Sequence, residues 1–351
     1  MTALMGALSG AIGCAATAGP PPATASAPVA APEPGMRVEK VREDLQLAPW
    51  DLAFSAVRGA GEVTETVTAR NLTNAPVVVV ALLLLGDDAA PFRLHDPPKL
   101  PARVPPRGQL SVEVSFAPAA TLTLGVHRAL LRFQTGPTIE DGPGTDLSAL
   151  ATLGRVGEDE PTLAQVIEAL GYAVDVRREA MLGPAEAVAR AGTPPPPARP
   201  IGDEIAVPLF TRATPTLVAL NPVARFSSDG PRPFGHYLLK GSAAEPVSLA
   251  TLAAGQNQTL NPELESGGNA SFDPGDAPFG IWVRSGKRII FSEDHRNRGA
   301  DKHAVRIFPM HARGGAPIPN AYLVAFKDGN EDAFQDYVFV LWNVTPVSTP
   351  H

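Results

Sequence analysis

The chain has 351 residues, with 29 Lys and Arg against 36 Asp and Glu, which gives a formal net charge of −7. A single hydrophobic core rarely grows beyond about 250–300 residues, so this length predicts two folded units joined by linkers. The mild acidity and the lack of a basic run argue against nucleic acid or an anionic lipid surface as the main partner. Hydrophobic residues form 44% of the chain, which excludes full disorder, and the 38 prolines and 32 glycines favour short strands joined by turns.

The N-terminal 32 residues carry no charged side chain, and they contain Cys14, the only cysteine of the chain. A single cysteine excludes an intrachain disulfide and a thiolate metal cluster. The apolar stretch Met1–Gly13 and the small residues before Cys14 resemble a bacterial lipoprotein signal, in which the cysteine becomes the acylated N-terminus. That resemblance implies export, with residues 1–14 as the signal and Cys14 as the lipidation site. The alternative is a plain Ala/Pro tail with an incidental cysteine.

A Pro/Ala-rich stretch follows over residues 15–45 and contains too few large apolar side chains to pack, so it predicts an extended tether. The longest apolar run in the rest of the chain, Ala75–Leu85, has eleven residues. A membrane-spanning helix needs about 20, and the β-branched residues of this run predict a buried strand instead.

Residues 46–156 alternate between apolar and polar positions in short runs. Thr64–Thr68 and Leu110–Phe116 show the period of two that is typical of a half-buried strand. Turn residues, among them Asn71–Asn74 and Pro105–Gly108, separate these runs. About seven strands with turn signals every roughly 8–12 residues predict an immunoglobulin-like β-sandwich.

The segments from Thr66 to Leu94 and from Pro105 to Thr135 resemble the ASPM–SPD-2–Hydin (ASH) module. The residues that match its motifs are Asn71, Asn74, Pro76, Gly86, Asp87, Phe92, Phe116, Ala117 and Pro118. In bacteria such modules are similar to spacer and adhesion sandwiches of exported proteins, and they carry no catalytic residues. The resemblance therefore implies a spacer in which Phe92, Phe116 and Phe133 belong to the core.

Residues 157–203 are predicted to link the two folded units. Leu163, Val166, Ile167 and Leu170 have the i, i+3, i+4, i+7 spacing of an amphipathic helix, with Pro161 before it and Gly171 after it. Its apolar stripe must pack on a larger surface, which we expect to be the second unit. The Pro-rich stretch 192–200 predicts a stiff spacer or an exposed loop.

Short apolar runs resume at Glu204 and continue to about residue 346, again separated by Gly, Pro, Asn and Asp turns. About eight such strands favour an antiparallel jelly-roll or lectin-like sandwich, with Trp282 and Trp342 in its core. The predicted fold class is therefore all-β, with an Ig-like sandwich over 46–156, a linker helix, and a second sandwich over 204–346.

This second half resembles a C-terminal module of exported bacterial proteins, the DUF4114 type. The segments that carry the resemblance are Phe272–Val283, Ile289–Met310 and Ile318–Val344. The role of that module is unestablished, so the resemblance implies a location and an architecture but no reaction.

An acidic, Gly-containing turn contains Asp328, Asn330, Asp332 and Asp336, at positions 1, 3, 5 and 9 of a tight loop. Oxygen ligands at this spacing suit Ca²⁺, which takes six to eight of them. A second acidic set that would lie at the same end of the sandwich comprises Asp273, Asp276, Glu293 and Asp294. The alternative is a solvated hairpin turn, because Asp and Asn side chains also bond to their own backbone without a metal.

Motifs of catalysis are absent from the sequence: it has no GxSxG elbow, no HExxH helix and no phosphate-binding glycine loop. Glu293 and Asp294 supply the two carboxylates that a glycosidase requires, but neighbouring residues at a strand end point to opposite faces. His295, His303 and His311 are expected to be hydrogen-bonded surface histidines.

We therefore expect a non-enzymatic, exported protein at the outer membrane, cell surface or periplasm, in which a spacer sandwich presents a terminal binding or structural domain. Its partner would be a cell-envelope component, a glycan or an extracellular protein, with contact to the membrane only through a lipid anchor. The first alternative is a calcium-dependent carbohydrate-binding module, although aromatic residues make up only 6% of the chain. A glycoside hydrolase is the second.

Overall fold

A computed structural model describes residues 44–154, 160–176, 202–240, 243–266, 270–298, 302–329 and 334–347. Cys14, Asn330 and Asp332 lie outside these residues, as does most of the predicted tether. No helix within the described ranges is long and apolar enough to cross a membrane. The chain is all-β, with one short α-helix and four large sheets arranged as β-sandwiches, which confirms the predicted fold class.

The first sandwich contains ten strands: β1 (Leu45–Ala48), β2 (Asp51–Val57), β3 (Val63–Asn71), β4 (Val77–Val79), β5 (Ala81–Leu85), β6 (Phe92–His95), β7 (Ala102–Val104), β8 (Gln109–Phe116), β9 (Gly125–Gln134) and β10 (Gly144–Thr152). One sheet has the order β1-β3-β8-β6, and the sheet facing it has the order β2-β10-β9-β5. β4 and β7 form a separate two-stranded ribbon. All pairs are antiparallel except β2 with β10.

The core of this sandwich follows the alternation in β8. Val112, Val114 and Phe116 are each at most 2% exposed, so they share the buried face as predicted. Phe92 and Phe133 are buried in the same cluster, and the Phe92 and Phe116 rings lie 5.4 Å apart. The prediction that these three phenylalanines form the core is confirmed.

Asn71, one of the residues that match the ASH motif, closes the turn after β3. Its buried side-chain amide donates to the carbonyls of Ala75, Val104 and Pro105 at 2.8, 3.2 and 3.0 Å. Its side-chain oxygen accepts the Thr73 amide at 2.8 Å. This residue therefore has a structural role, because its side chain ties the turn after β3 to the end of β7.

The linker helix α1 (Leu163–Ala169) begins with a capping box, in which Thr162 and Gln165 exchange side-chain and backbone hydrogen bonds. It is followed by Gly171, whose φ of +77° suits a glycine at a helix end. Val166 and Ile167 are at most 2% exposed.

The apolar side of α1 packs on both sandwiches. A single buried cluster joins Val166 and Ile167 of α1 to Leu150 of β10 and to Ala219 and Phe308 in the second half of the chain. The predicted packing of the helix on the second sandwich is confirmed. Its simultaneous contact with β9 and β10 of the first sandwich is a further finding.

The second sandwich contains twelve strands: β11 (Phe210–Arg212), β12 (Val218–Arg225), β13 (Arg232–Lys240), β14 (Ala243–Leu252), β15 (Thr259–Leu260), β16 (Ser271–Phe272), β17 (Phe279–Ser285), β18 (Arg288–Phe291), β19 (Val305–His311), β20 (Pro317–Phe326), β21 (Tyr337–Trp342) and β22 (Val344–Pro346). One sheet has the order β14-β13-β17-β11-β22, with β18 added to β17. The other has the order β15-β12-β21-β20-β19, with β16 added to β12. Trp282 and Trp342 are 3% and 7% exposed, so both are core residues as predicted.

Strand β14 was not predicted from the sequence. It pairs with β13 along its length and forms one further bridge, from Leu252 to Leu264, and most of its residues are exposed or half-buried. It begins Ala-Ala-Glu-Pro, residues with low strand propensity, and so the sequence does not indicate a strand here. Its place in the sheet comes from the long hairpin with β13.

Candidate functional site

The loop between β20 and β21 contains the two described members of the predicted calcium set, Asp328 and Asp336. The Asp336 carboxylate accepts the Asp328 backbone N–H at 2.5 Å. The Asp328 carboxylate is bonded to the Ser285 hydroxyl and accepts the Tyr337 hydroxyl at 3.2 Å. The two carboxyl groups therefore lie in one loop, where both already accept hydrogen bonds from other groups of the protein.

Burial raises the pKa of the Asp336 carboxyl to about 7, because the charged form loses its hydration. The backbone amides of Asp328 and Gly329 act in the opposite direction, and the negative charges of Glu160 and Asp328 add to the increase. Glu160 comes from the linker side and accepts a hydrogen bond from Gln335 at 3.3 Å. The negative charges of Glu160 and Asp328 therefore lie close enough to Asp336 to disfavour its ionised form.

Within the described ranges, no group of three or more His, Cys, Asp or Glu side chains is arranged to hold a metal ion. The predicted ligands Asn330 and Asp332 lie outside those ranges, so the full set stays a prediction. Two members of the second acidic set bind an arginine outside this loop. Asp273 pairs with Arg212 at 2.7 Å, and Asp276 lies 3.6 Å from the same guanidinium.

Phe334, at the end of this loop, is buried among cationic groups. Its ring lies 4.5 Å from the Arg306 guanidinium and 4.9 Å from the Lys327 ammonium, and 6.0 Å from the His303 ring. These are cation–π distances, which anchor the loop to β19 and β20. This cluster was not predicted, because its members come from separate segments of the chain.

His303 lies between two carboxylates and is half-buried, with a side chain that is 24% exposed. Its Nδ1 is 3.0 Å from Asp294 Oδ2, and its Nε2 is 3.4 Å from Glu204 Oε1. Burial disfavours the imidazolium, but the bonds to these carboxylates outweigh it and raise the pKa of His303 to about 9. Arg306 binds the other oxygen of Glu204 at 2.5 Å.

Glu293 is buried at the start of a short 3-10 turn, Asp294–Arg296, and its carboxylate is held by two side chains. The Tyr237 hydroxyl donates to Glu293 Oε2 at 2.9 Å, and Arg296 forms an ion pair with the same oxygen. Burial raises the pKa of the Tyr237 phenol, so it stays a donor. Glu293 therefore binds Tyr237 and Arg296, whereas Asp294 binds His303. The different partners agree with the expectation that these two neighbouring side chains point to opposite faces.

Two buried arginines, Arg225 and Arg232, tie a loop to the end of the second sandwich. Arg225 donates to the carbonyls of Ala253, Ser228 and Gly230 at 2.7, 2.9 and 2.6 Å. Arg232 donates to the Tyr337 hydroxyl at 2.8 Å and to the Ser228 carbonyl at 2.9 Å. This arrangement was not predicted, since a lone Arg in a strand usually projects into solvent.

No protein-family model matches the chain, and no curated protein matches it. Among solved structures, it is similar to an ASH/PapD-like domain of human CEP192, with 12% identity over 37% of this chain and 97% of that domain and a TM-score of 0.23. It is similar to the CupB2 chaperone of Pseudomonas aeruginosa, with 11% identity over 85% of this chain and all of CupB2 (100%) and a TM-score of 0.23. It is also similar to the secreted serine protease VesC of Vibrio cholerae, with 12% identity over 87% of this chain and 51% of VesC and a TM-score of 0.26. With TM-scores this low, the fold assignment rests on the strand pairing described above.

Proposed function

We propose that the protein is a non-enzymatic, exported, cell-surface-associated protein in which the first sandwich is a spacer and the second presents a binding or structural surface. The observation that carries this proposal is the buried cluster that joins both sandwiches through α1. A spacer fixes the direction of its terminal domain only if the two move together, and a shared apolar core provides that coupling.

Polar contacts around the helix support the same interpretation. Arg313, beyond β19, lies 3.7 Å from Asp146 of the first sandwich, and Arg128 of β9 lies 3.5 Å from Glu168 of α1. These pairs are partly exposed, and each contributes at most about 1 kcal/mol. They set the register of the two sandwiches, while apolar burial stabilises the contact.

The titratable groups of the second sandwich form hydrogen bonds and ion pairs with neighbouring segments, which also favours a structural role. Glu293, His303 and Glu204 each bind side chains of neighbouring segments, as do the carboxylates of the Asp328–Asp336 loop. Such bonds hold loops in place at the end of a sandwich, which is what a presented surface requires.

The experiment is surface labelling of intact cells that express the full chain, with a membrane-impermeant, lysine-reactive biotin reagent. We expect biotinylation of the wild-type chain in intact cells and loss of membrane retention in Cys14→Ala. A cytoplasmic protein serves as the internal control. Labelling only after lysis would contradict the proposal.

Calcium binding by the Asp328–Asp336 loop is a second candidate function, favoured by the negative charges of Glu160 and Asp328 that act on Asp336. A bound cation would remove the repulsion that the metal-free loop carries, so calcium should stabilise the fold. At free calcium a hundredfold above the dissociation constant, linkage gives about 2.7 kcal/mol. For an extracellular module that constant is about 0.1–1 mM.

Melting of the full chain in EDTA, calcium and magnesium tests this candidate. We expect a higher melting temperature in calcium alone, and loss of that increase in Asp332→Asn. Asp276→Asn is the matched control, because Asp276 is an exposed carboxylate that pairs with Arg212 outside the loop. Identical melts in all three solutions would leave the plain hairpin turn as the correct interpretation.

A further inference from the structure

The edge strand β5 differs from the other edge strands of the four large sheets in the described part of the chain. Its five residues, Ala-Leu-Leu-Leu-Leu, are all apolar and all half-buried. Within the described residues it pairs with β9 alone. An edge strand offers unpaired backbone donors and acceptors, which pair readily with another strand unless charge, proline or a covering segment prevents it.

Each of the other edges contains a polar or charged residue. The charged residues or prolines are Glu245 and Pro246 in β14, Arg93 in β6, Asp51 in β2, Arg306 in β19 and Pro346 in β22, and the two short remaining edges have the polar residues Gln46 in β1 and Thr259 in β15. Charged residues and prolines of this kind protect an edge against pairing. β5 has no such protection along its own length, so it is the edge best suited to accept a further strand.

Both faces of the strand region support pairing of this kind. Leu82 and Leu84 pack on the core of the first sandwich, so the alternate residue Leu83 lies on the outer face. The preceding Val78 and Val80 are 40% and 41% exposed. An added strand would therefore gain apolar contacts on both sides of the sheet as well as backbone hydrogen bonds.

The charges at the two ends of this region favour one occupant, a second copy of the chain. Asp87 and Asp88 are exposed just beyond the C-terminal end of β5. Arg103 is exposed at the other end, in β7, where it pairs with Val78 of β4. When two copies of the strand pair antiparallel, the acidic end of each lies beside the basic end of the other. A parallel pair would place like charges side by side.

We propose that two copies associate through β5, antiparallel about a two-fold axis at Leu83, to form one continuous sheet across the dimer. This register overlaps all of β5 with its copy and places Leu83 opposite Leu83. It brings Asp87 and Asp88 of each copy level with Val79 and Val78 of the other, next to Arg103. This dimer goes beyond the proposed function and does not depend on where the protein is located.

The experiment is sedimentation velocity of the full chain at about 1–100 μM, a range that covers weak and moderate dimers. A reductant is present so that Cys14 contributes no disulfide. We expect a concentration-dependent dimer in the wild type. Leu83→Lys places two like charges together on the axis and should weaken the dimer at least about tenfold. Val247→Lys, on the exposed edge strand β14, is the matched control and should leave the dimer unchanged.

A charge exchange keeps the proposal testable if Leu83→Lys fails to fold. Arg103→Asp should weaken the dimer, and Arg103→Asp combined with Asp87→Arg should restore it. Both side chains are exposed, so neither change should affect folding. A wild-type chain that remains monomeric at the highest concentration would overturn the proposal. So would a dimer that a folded Leu83→Lys variant, or the Arg103→Asp variant, leaves intact.

Discussion

Replacement of Ile167 by alanine tests whether α1 joins the two sandwiches into one cooperative unit. Ile167 is 2% exposed and belongs to the cluster that spans Leu150 of the first sandwich and Phe308 of the second. Burial of this side chain therefore contributes to both sandwiches at once. Its loss should destabilise the whole unit rather than the helix alone.

The magnitude follows from the cavity that the substitution leaves. Truncation of a buried isoleucine to alanine typically costs about 2–5 kcal/mol, and the cost is highest where the surroundings cannot collapse. Rigid sheets on both sides of α1 limit such collapse, so we expect a value of about 3–5 kcal/mol. We also expect the wild-type chain to unfold in one transition and the variant in two, since the substitution weakens the coupling between the sandwiches.

Differential scanning calorimetry of the full chain measures both effects. Glu168→Ala is the matched control on the same helix, because Glu168 is exposed and its pair with Arg128 is worth at most about 1 kcal/mol. An Ile167→Ala variant that unfolds like Glu168→Ala, in one transition and at the wild-type temperature, would refute the reasoning.

Two further predictions concern stability. Phe116→Ala should cost about 3–5 kcal/mol, because Phe116 is fully buried, and an unchanged chemical denaturation midpoint would show that the assigned strand face is wrong. His303 has a pKa raised from 6.5 to about 9, so its stabilisation is complete below pH 6.5 and disappears as the pH rises through 9. Its side chain is 24% exposed, so solvent screening should limit the effect to about 1–2 kcal/mol. Between pH 6 and 10 the melting temperature of the wild-type chain should fall, and His303→Gln should remove that fall. The same fall in the variant would contradict the assignment of this pH dependence to His303.

The strands of the first sandwich could be predicted because their buried faces alternate with a period of two. Val112, Val114 and Phe116 carry that signal without ambiguity. The helix followed from the spacing of four apolar residues and from the signals at its two ends. These are local patterns, in which each residue's neighbours along the chain are sufficient evidence.

The features that the sequence did not reveal depend on contacts between distant segments. Strand β14 has weak strand propensity and is held by its hairpin with β13. The contact of His303 with Glu204 was not predicted, because the two residues are almost a hundred positions apart and neither local sequence indicates the other. The double contact of α1 was missed for a similar reason, since an amphipathic pattern shows that one face is buried but not by how many surfaces.

Export with lipidation at Cys14 is the central claim of the proposed function, and the N-terminal peptide of the mature protein tests it most directly. Mass spectrometry of the protein purified from cell membranes should find a peptide that begins at Cys14 and carries an acyl modification. The first 13 residues should be absent from it. An intact Met1 peptide recovered from the cytoplasmic fraction would contradict both the lipid anchor and the export.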